Sequence, residues 1–342
     1  MKIFFLILFL FLFNHQVYAN NLFETIFYKI EFSSDNIQDD KINEINKIKS
    51  KSILNILKKT LSEDNFLKVN DYLTDDLINT FIKNIVINNE KIIDERYVSE
   101  IKINFNKKKI IEFFRIKNLP YVEYHPDNFL LIILEKDDID NNLFTKNNSY
   151  YKYFKENLEK NNYFFQIPNL DINDRFILNG DHVLNRDFNK INNFFKKYNS
   201  NENIIVIVKK DKDEIIYNLI VFSDENILEN EKILKNNQID EFFKMLENDT
   251  LNLWKQINKI QNETLNFISC EVNYFNMLEL KEIRKNLKNV SVIKNLTAKK
   301  LTYKNIEYDI NYYGNTNILF KIFKMNKLKI HYDKNKCVIR LI

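Results

Sequence analysis

Apolar and polar residues alternate over Thr25–Phe32, where Ile26, Tyr28, Ile30 and Phe32 are separated by Phe27, Lys29 and Glu31, and this predicts a half-buried strand. From Asp40 the period changes to that of a helix, with Ile42, Ile45, Ile48, Ile53, Ile56, Leu57 and Leu61 on one face and lysines between them. Thr74-Asp75-Asp76 has the composition of a helix cap for a shorter helix through Thr80. Two strand-like runs follow, Ile82–Ile87 and Tyr97–Phe105, joined by a polar turn over Asn88–Asp94. Asn106 opens a helix carrying Ile110, Ile111, Phe113 and Phe114; Pro120 ends that stretch, and Phe129–Leu134 reads as a buried strand. The order is strand, helices, hairpin, helix, strand.

The polar stretch Glu135–Asn142 is the first domain boundary. Beyond it the pattern predicts a helix over Tyr150–Leu158, a strand at Tyr163–Ile167, a helix over Asp187–Tyr198 and a hairpin of Ile204–Val208 with Glu214–Phe222. Asp240–Gln261 is a long amphipathic helix with Phe243, Leu246, Thr250, Leu253, Ile257 and Ile260 on its apolar face and Trp254 beside them, expected to bridge two domains. After it come a strand (Leu265–Tyr274), a helix (Leu278–Leu287), a strand pair (Val290–Leu301 and Ile306–Tyr312), a helix (Thr316–Met325) and a terminal hairpin or strand over Leu328–Ile342. Strand-helix-strand-strand-helix-strand is the split ferredoxin-like plan. The expected fold is therefore α+β: two such βαββαβ units, at residues 20–135 and 263–342, flank a small α/β unit at 143–226, with the long helix at 238–262.

Residues 1–19 stand outside this plan. Lys2 is followed by the unbroken apolar run Ile3–Phe13 and by Val17-Tyr18-Ala19, the arrangement of a signal peptide cleaved between Ala19 and Asn20. A membrane anchor is the alternative, but eleven apolar residues rise only about 16 Å as a helix, roughly half of a hydrocarbon core. Export to the periplasm, with no membrane span in the mature chain, is the expectation.

Composition narrows the function by exclusion. Lysine and arginine number 51 against 47 acidic residues, so the formal charge is +4, which does not point to nucleic acid. Only two glycines, Gly180 and Gly314, occur, so neither a phosphate-cradling loop nor a dinucleotide fingerprint can be present. The densest polar constellation is Asp171, Asn173, Asp174, Asp181, His182 and Asp187. Its spacing matches no calcium loop, and it reads as solvated loop carboxylates and helix caps; a divalent-cation site serving a metal-dependent hydrolase is the alternative. His125, His182 and His331 fall in different predicted units, and the short runs Lys107-Lys108-Lys109 and Lys299-Lys300 read as solvated faces. No residue is assigned a catalytic, cofactor-binding or metal-binding role.

The two cysteines, Cys270 and Cys337, belong to the first and last strands of the C-terminal unit and share their alternation with core residues. If those strands are antiparallel neighbours, as the split plan requires, the side chains meet either as a disulfide or as two buried thiols.

Three stretches carry a resemblance. They are Tyr97-Val98-Ser99-Glu100-Ile101-Lys102-Ile103-Asn104-Phe105-Asn106 followed by Ile110-Ile111 and then Pro126-Asp127-Asn128-Phe129-Leu130-Leu131-Ile132-Ile133; Phe165-Gln166-Ile167-Pro168-Asn169-Leu170-Asp171-Ile172-Asn173-Asp174; and Leu251-Asn252-Leu253-Trp254. Together they resemble a family of exported Gram-negative bacterial proteins known as domain of unknown function 2066, over roughly Phe23 to Asn258. The resemblance implies a periplasmic setting and brings no catalytic residues. More distantly, the N-terminal and middle regions are similar to the small α/β modules of envelope assembly proteins such as the TolB amino-terminal domain. The expected role is non-enzymatic binding of an envelope protein; a hydrolase using the Asp171–Asp187 segment and a small-ligand carrier are the alternatives.

Overall fold

The structure is a computed structural model that describes residues 22–126, 128–137, 141–157, 164–211, 213–223, 226–235, 238–333 and 336–342. The expected export segment, with Ala19 and Asn20, lies outside the described residues. Those residues form a mixed α+β protein with three sheets and eleven helices, divided into two compact units. Of the described residues, the first unit holds 22–59 together with Lys68–Phe113; the second holds Thr60–Leu67 and those within Phe114–Ile342. Among the described residues no helix is long and apolar enough to cross a membrane.

The chain begins with β1 (Tyr28–Ser33), α1 (Ile37–Thr60), α2 (Glu63–Asn70), α3 (Asp75–Phe81), β2 (Ile82–Ile93), β3 (Arg96–Phe105) and α4 (Lys107–Ile116). The three strands form an antiparallel sheet in the order β1-β3-β2. The central strand β3 buries alternate residues, Tyr97, Ser99, Ile101, Ile103 and Phe105, as a one-sided sheet requires. On α1 the buried stripe starts at Ile48, and Ile42 is left exposed. The polar stretch Asn88–Asp94 is not the turn expected there. β2 stays paired through it to Ile93, because Asn89 takes a left-handed conformation (φ 54°) within a bulge between Asn88 and Lys91, and the reversal waits for Asp94 (φ 53°).

The second unit continues with β4 (Phe129–Lys136), β5 (Asn141–Asn142), α5 (Ser149–Glu156), β6 (Phe165–Gln166), α6 (Ile172–Ile177), α7 (Gly180–Leu184) and α8 (Phe188–Lys197). Next come β7 (Glu202–Asp211), β8 (Glu214–Ser223), β9 (Asn226–Leu234) and α9 (Ile239–Asn258). Six of these strands form one sheet, ordered β5-β4-β7-β8-β9 with β6 also beside β4. Phe129–Leu134, expected as the last strand of the N-terminal unit, belongs here instead: β4 pairs parallel with both β6 and β7. Its six apolar residues are all buried, which needs cover on both faces, and parallel strands flanked by helices supply it. β9 was not legible as a strand, since its polar sequence sits at an exposed sheet edge. The long helix α9 packs on β8 and β9, and Phe242, Leu246, Leu253 and Trp254 enter that sheet's core.

The last segment comprises β10 (Leu265–Asn273), α10 (Met277–Asn289), β11 (Ile293–Leu301), β12 (Asn305–Tyr313), α11 (Thr316–Met325), β13 (Leu328–Asp333) and β14 (Lys336–Leu341). Its sheet runs β11-β12-β10-β14-β13. The final strand β14 lies beside the first, β10, as expected, but parallel rather than antiparallel. The cause is the β13–β14 hairpin: β13 lies antiparallel to β14, so it keeps the direction expected of a closing strand but is displaced to the edge. Cys270 and Cys337 are opposite each other in this register, with Cα atoms 4.5 Å apart, and form a disulfide.

The two glycines answer different constraints. A Cβ on Gly180 would lie 2.9 Å from Cβ of Asn141, so α7 can approach β5 only with glycine there, and Gly314 has φ +82° between β12 and α11.

Candidate functional site

The structure distributes the Asp171–Asp187 constellation over three helix starts. Asp171 caps α6, its Oδ1 accepting from the Asp174 backbone N at 2.9 Å, and that hydrogen bond holds its carboxyl below the usual range. Asn179 and His182 form a reciprocal capping box on α7, Asp181 lies in its exposed first turn, and Asp187 caps α8. Asn173 is exposed. Asp174 differs from all of these because it is fully buried. Lys197 approaches its Oδ1 at 2.6 Å, the Tyr198 hydroxyl donates at 2.7 and 2.8 Å, and the Leu170 backbone N donates at 2.8 Å. These bonds pin the left-handed Leu170 (φ 60°) and tie the Pro168–Asp171 loop to α8. Asp174 raises the Lys197 pKa, while burial first and then the bond to Asp174 push the Tyr198 phenol up to about 12. Such an arrangement fixes a loop: its oxygens are directed at protein donors.

The three histidines are separate. His125 contacts the Pro126 carbonyl at 2.8 Å and lies edge-on to Phe164, His182 serves its capping box, and His331 is on β13. Among the described residues no group of three or more His, Cys, Asp or Glu side chains is placed to hold a metal ion. Lys107 lies over the Phe23 ring and Lys299 pairs with Glu307 at 3.9 Å.

A polar node that sequence reading missed lies inside the second unit. Glu202, at the start of β7, accepts from Lys321 at 3.0 Å and from the Trp254 indole at 2.9 Å. Asn258 donates to Ser223 Oγ at 3.0 Å and accepts from the Tyr124 hydroxyl at 2.5 Å, and Lys321 lies over the Tyr124 ring at 5.3 Å. The Lys321 and Glu202 side chains retain 21% and 12% of their exposure, so the ion pair is largely withdrawn from water. The signal was present as one lysine among the apolar residues Ile318, Leu319, Phe320, Ile322 and Phe323 of α11. A related brace joins Arg115 to the Tyr121 hydroxyl (3.1 Å) and the Ser291 carbonyl (2.7 Å), with its guanidinium 4.5 Å over the Tyr313 ring. Lys255 on α9 donates to the Leu61 carbonyl at 3.0 Å; burial pulls its pKa down to about 8, with Glu63 opposing.

The surface offers a different kind of feature. At one end of the C-terminal sheet the β10–α10 turn lies beside the β11–β12 hairpin, joined by the Tyr274 N–H to the Lys304 carbonyl (3.2 Å) and the Tyr274 hydroxyl to the Thr302 carbonyl (3.1 Å). Phe275 is 93% exposed and Tyr303 90%, and Met277, Leu278 and Leu301 are exposed with them. Large apolar side chains in that number are costly to leave in water. Sequence reading placed Leu278 in a helix and Leu301 in a strand and left Phe275, Met277 and Tyr303 in the connections between elements, because nothing local separates an outward apolar residue from a core one.

No protein-family model matches the chain, and no curated protein matches it in sequence.

Proposed function

We propose that the protein is exported to the periplasm and binds an envelope protein there, without a reaction of its own, through the apolar end of its C-terminal sheet. The observation that carries this reading is the exposed group Phe275, Met277, Leu278, Leu301 and Tyr303 on two tethered turns. Asp171, Asp174, His182 and Asp187, singled out in the sequence, support it from the other side, since they are engaged in capping and loop fixation. The resemblance to domain of unknown function 2066 and the export signal favour the compartment. We read the C-terminal sheet as a split βαββαβ unit enlarged by one strand, β14, inserted between the first strand and the closing strand, a scaffold that holds two turns at fixed separation.

A photo-crosslinking residue placed at Phe275 in cells should capture a discrete envelope protein, whereas one at the exposed, polar Lys288 should not. Equal capture at both positions, or an intact-mass spectrum of the native protein that begins at Met1 instead of Asn20, would sink the reading.

A further inference from the structure

We propose that the outer edge of β1 pairs with β1 of a second copy, joining two three-stranded sheets into a continuous six-stranded one. This interface is independent of the envelope partner proposed for the C-terminal sheet. β1 pairs with β3 on one side, and among the described residues nothing pairs with it on the other. The Ser34 N–H donates to the Glu95 carbonyl at 2.9 Å in register with the β1–β3 ladder. Even-numbered residues therefore exchange hydrogen bonds with β3, and Lys29, Glu31 and Ser33 direct their backbone groups to the open edge.

The side chains are ordered for self-pairing. Tyr28-Lys29-Ile30-Glu31-Phe32 is self-complementary about Ile30: aromatic residues stand at both ends, and a positive and a negative residue flank the centre. Antiparallel pairing about Ile30 sets Ile30 against its own copy, Lys29 against Glu31 of the second copy and Tyr28 against Phe32 of the second copy. Opposite charges and aromatic pairs directly across an antiparallel ladder are each favourable. Backbone geometry agrees, because the outward-directed Lys29 and Glu31 become the hydrogen-bonded pair. A slip of one residue loses those bonds, and a slip of two sets Lys29 against Lys29 or Glu31 against Glu31. A single register is selected, and the contact is isologous and closed.

Room for the second strand is present. A groove of about 400 Å³ runs along β1, lined on the helix side by Glu44, Lys47, Ile48 and Lys51 of α1. It borders the face on which Tyr28 and Phe32 are half-buried and Ile30 is buried, while Lys29 and Glu31 are exposed on the opposite face. By contrast, the edge strand β11 carries charges of one sign, Lys294, Lys299 and Lys300, which oppose self-pairing.

Sedimentation equilibrium on the mature protein, from micromolar to sub-millimolar concentration, should show a monomer–dimer equilibrium. Lys29→Glu sets carboxylates opposite each other on both sides of the axis, and Glu31→Lys does the same with ammonium groups, so each variant should dimerise about tenfold or more weakly. Mixing the two variants restores opposite charges at both positions and should yield a heterodimer close to wild-type affinity, which neither variant forms unless it is folded. A wild-type protein that stays monomeric, a dimer indifferent to Lys29→Glu, or a mixture of folded variants that shows no restoration would each overturn the proposal.

Discussion

Asp174 and Asp171 stand three residues apart, yet their environments assign them different work. Asp171 is a solvated cap, so Asp171→Ala should shift the urea midpoint slightly. Asp174→Ala leaves Lys197, the Tyr198 hydroxyl and the Leu170 N–H without their shared acceptor, and should destabilise the fold by about 3 kcal/mol. Equal effects from the two variants would show that the loop is not held this way. Lys255 gives a pH signature of definite sign. Between its native pKa of about 8 and the ordinary 10.5 the unfolded chain binds more protons than the folded one, so stability rises with pH across that window. The full contribution reaches about 3 kcal/mol at its upper end. Burial raises the pKa values of Tyr97, Tyr121, Tyr150, Tyr151, Tyr198 and Tyr217, which acts in the opposite direction as the pH approaches 10, so urea melts between roughly pH 8 and 9 read the lysine most directly. Lys255→Met should flatten the slope; an unchanged slope would assign it elsewhere. At this scale the caps were legible, because an Asp, Asn or Thr before a helical period has a local role, whereas the burial of Asp174 was not, because its partners Lys197 and Tyr198 arrive from another helix.

Elements were recovered where period and punctuation agreed, as for β3, α8 and α11. They were missed where a polar run interrupts an edge strand, as Glu229–Lys232 does in β9, or where a bulge lets a polar run remain a strand, as at Asn88–Lys91. Direction was the harder question. The neighbouring positions of β10 and β14 follow from a chain order that anyone can read, but the β13–β14 hairpin reverses the last strand and makes the pair parallel. Cys270 and Cys337 thereby link strands 67 residues apart in sequence. In the chain-entropy account a cross-link over such a loop stabilises by about 4 kcal/mol. Replacing both cysteines with alanine should lower the denaturation midpoint accordingly, and reduction of the wild type should match it. No difference between oxidised and reduced protein would remove the cross-link as a stabilising element.

Across the whole molecule, the decisive event is the assignment of Phe129–Lys136 to the six-stranded sheet rather than to the sheet of β1, β2 and β3. That choice leaves β1 with an open edge. Inside the second unit, Glu202, Lys321, Trp254, Asn258 and Tyr124 bring four chain regions to one node. By itself the sequence determined the α+β class, most element positions, the helix caps and the placement of both cysteines on neighbouring strands, because each depends on local periodicity or local hydrogen bonding. Only the tertiary structure decided which sheet β4 joins, the direction of β14, the burial of Asp174 and Glu202, and the exposure of Phe275 and Tyr303. Each of those depends on which surfaces meet across long sequence separations, and an apolar or charged residue carries the same local signature whether its partner arrives or not.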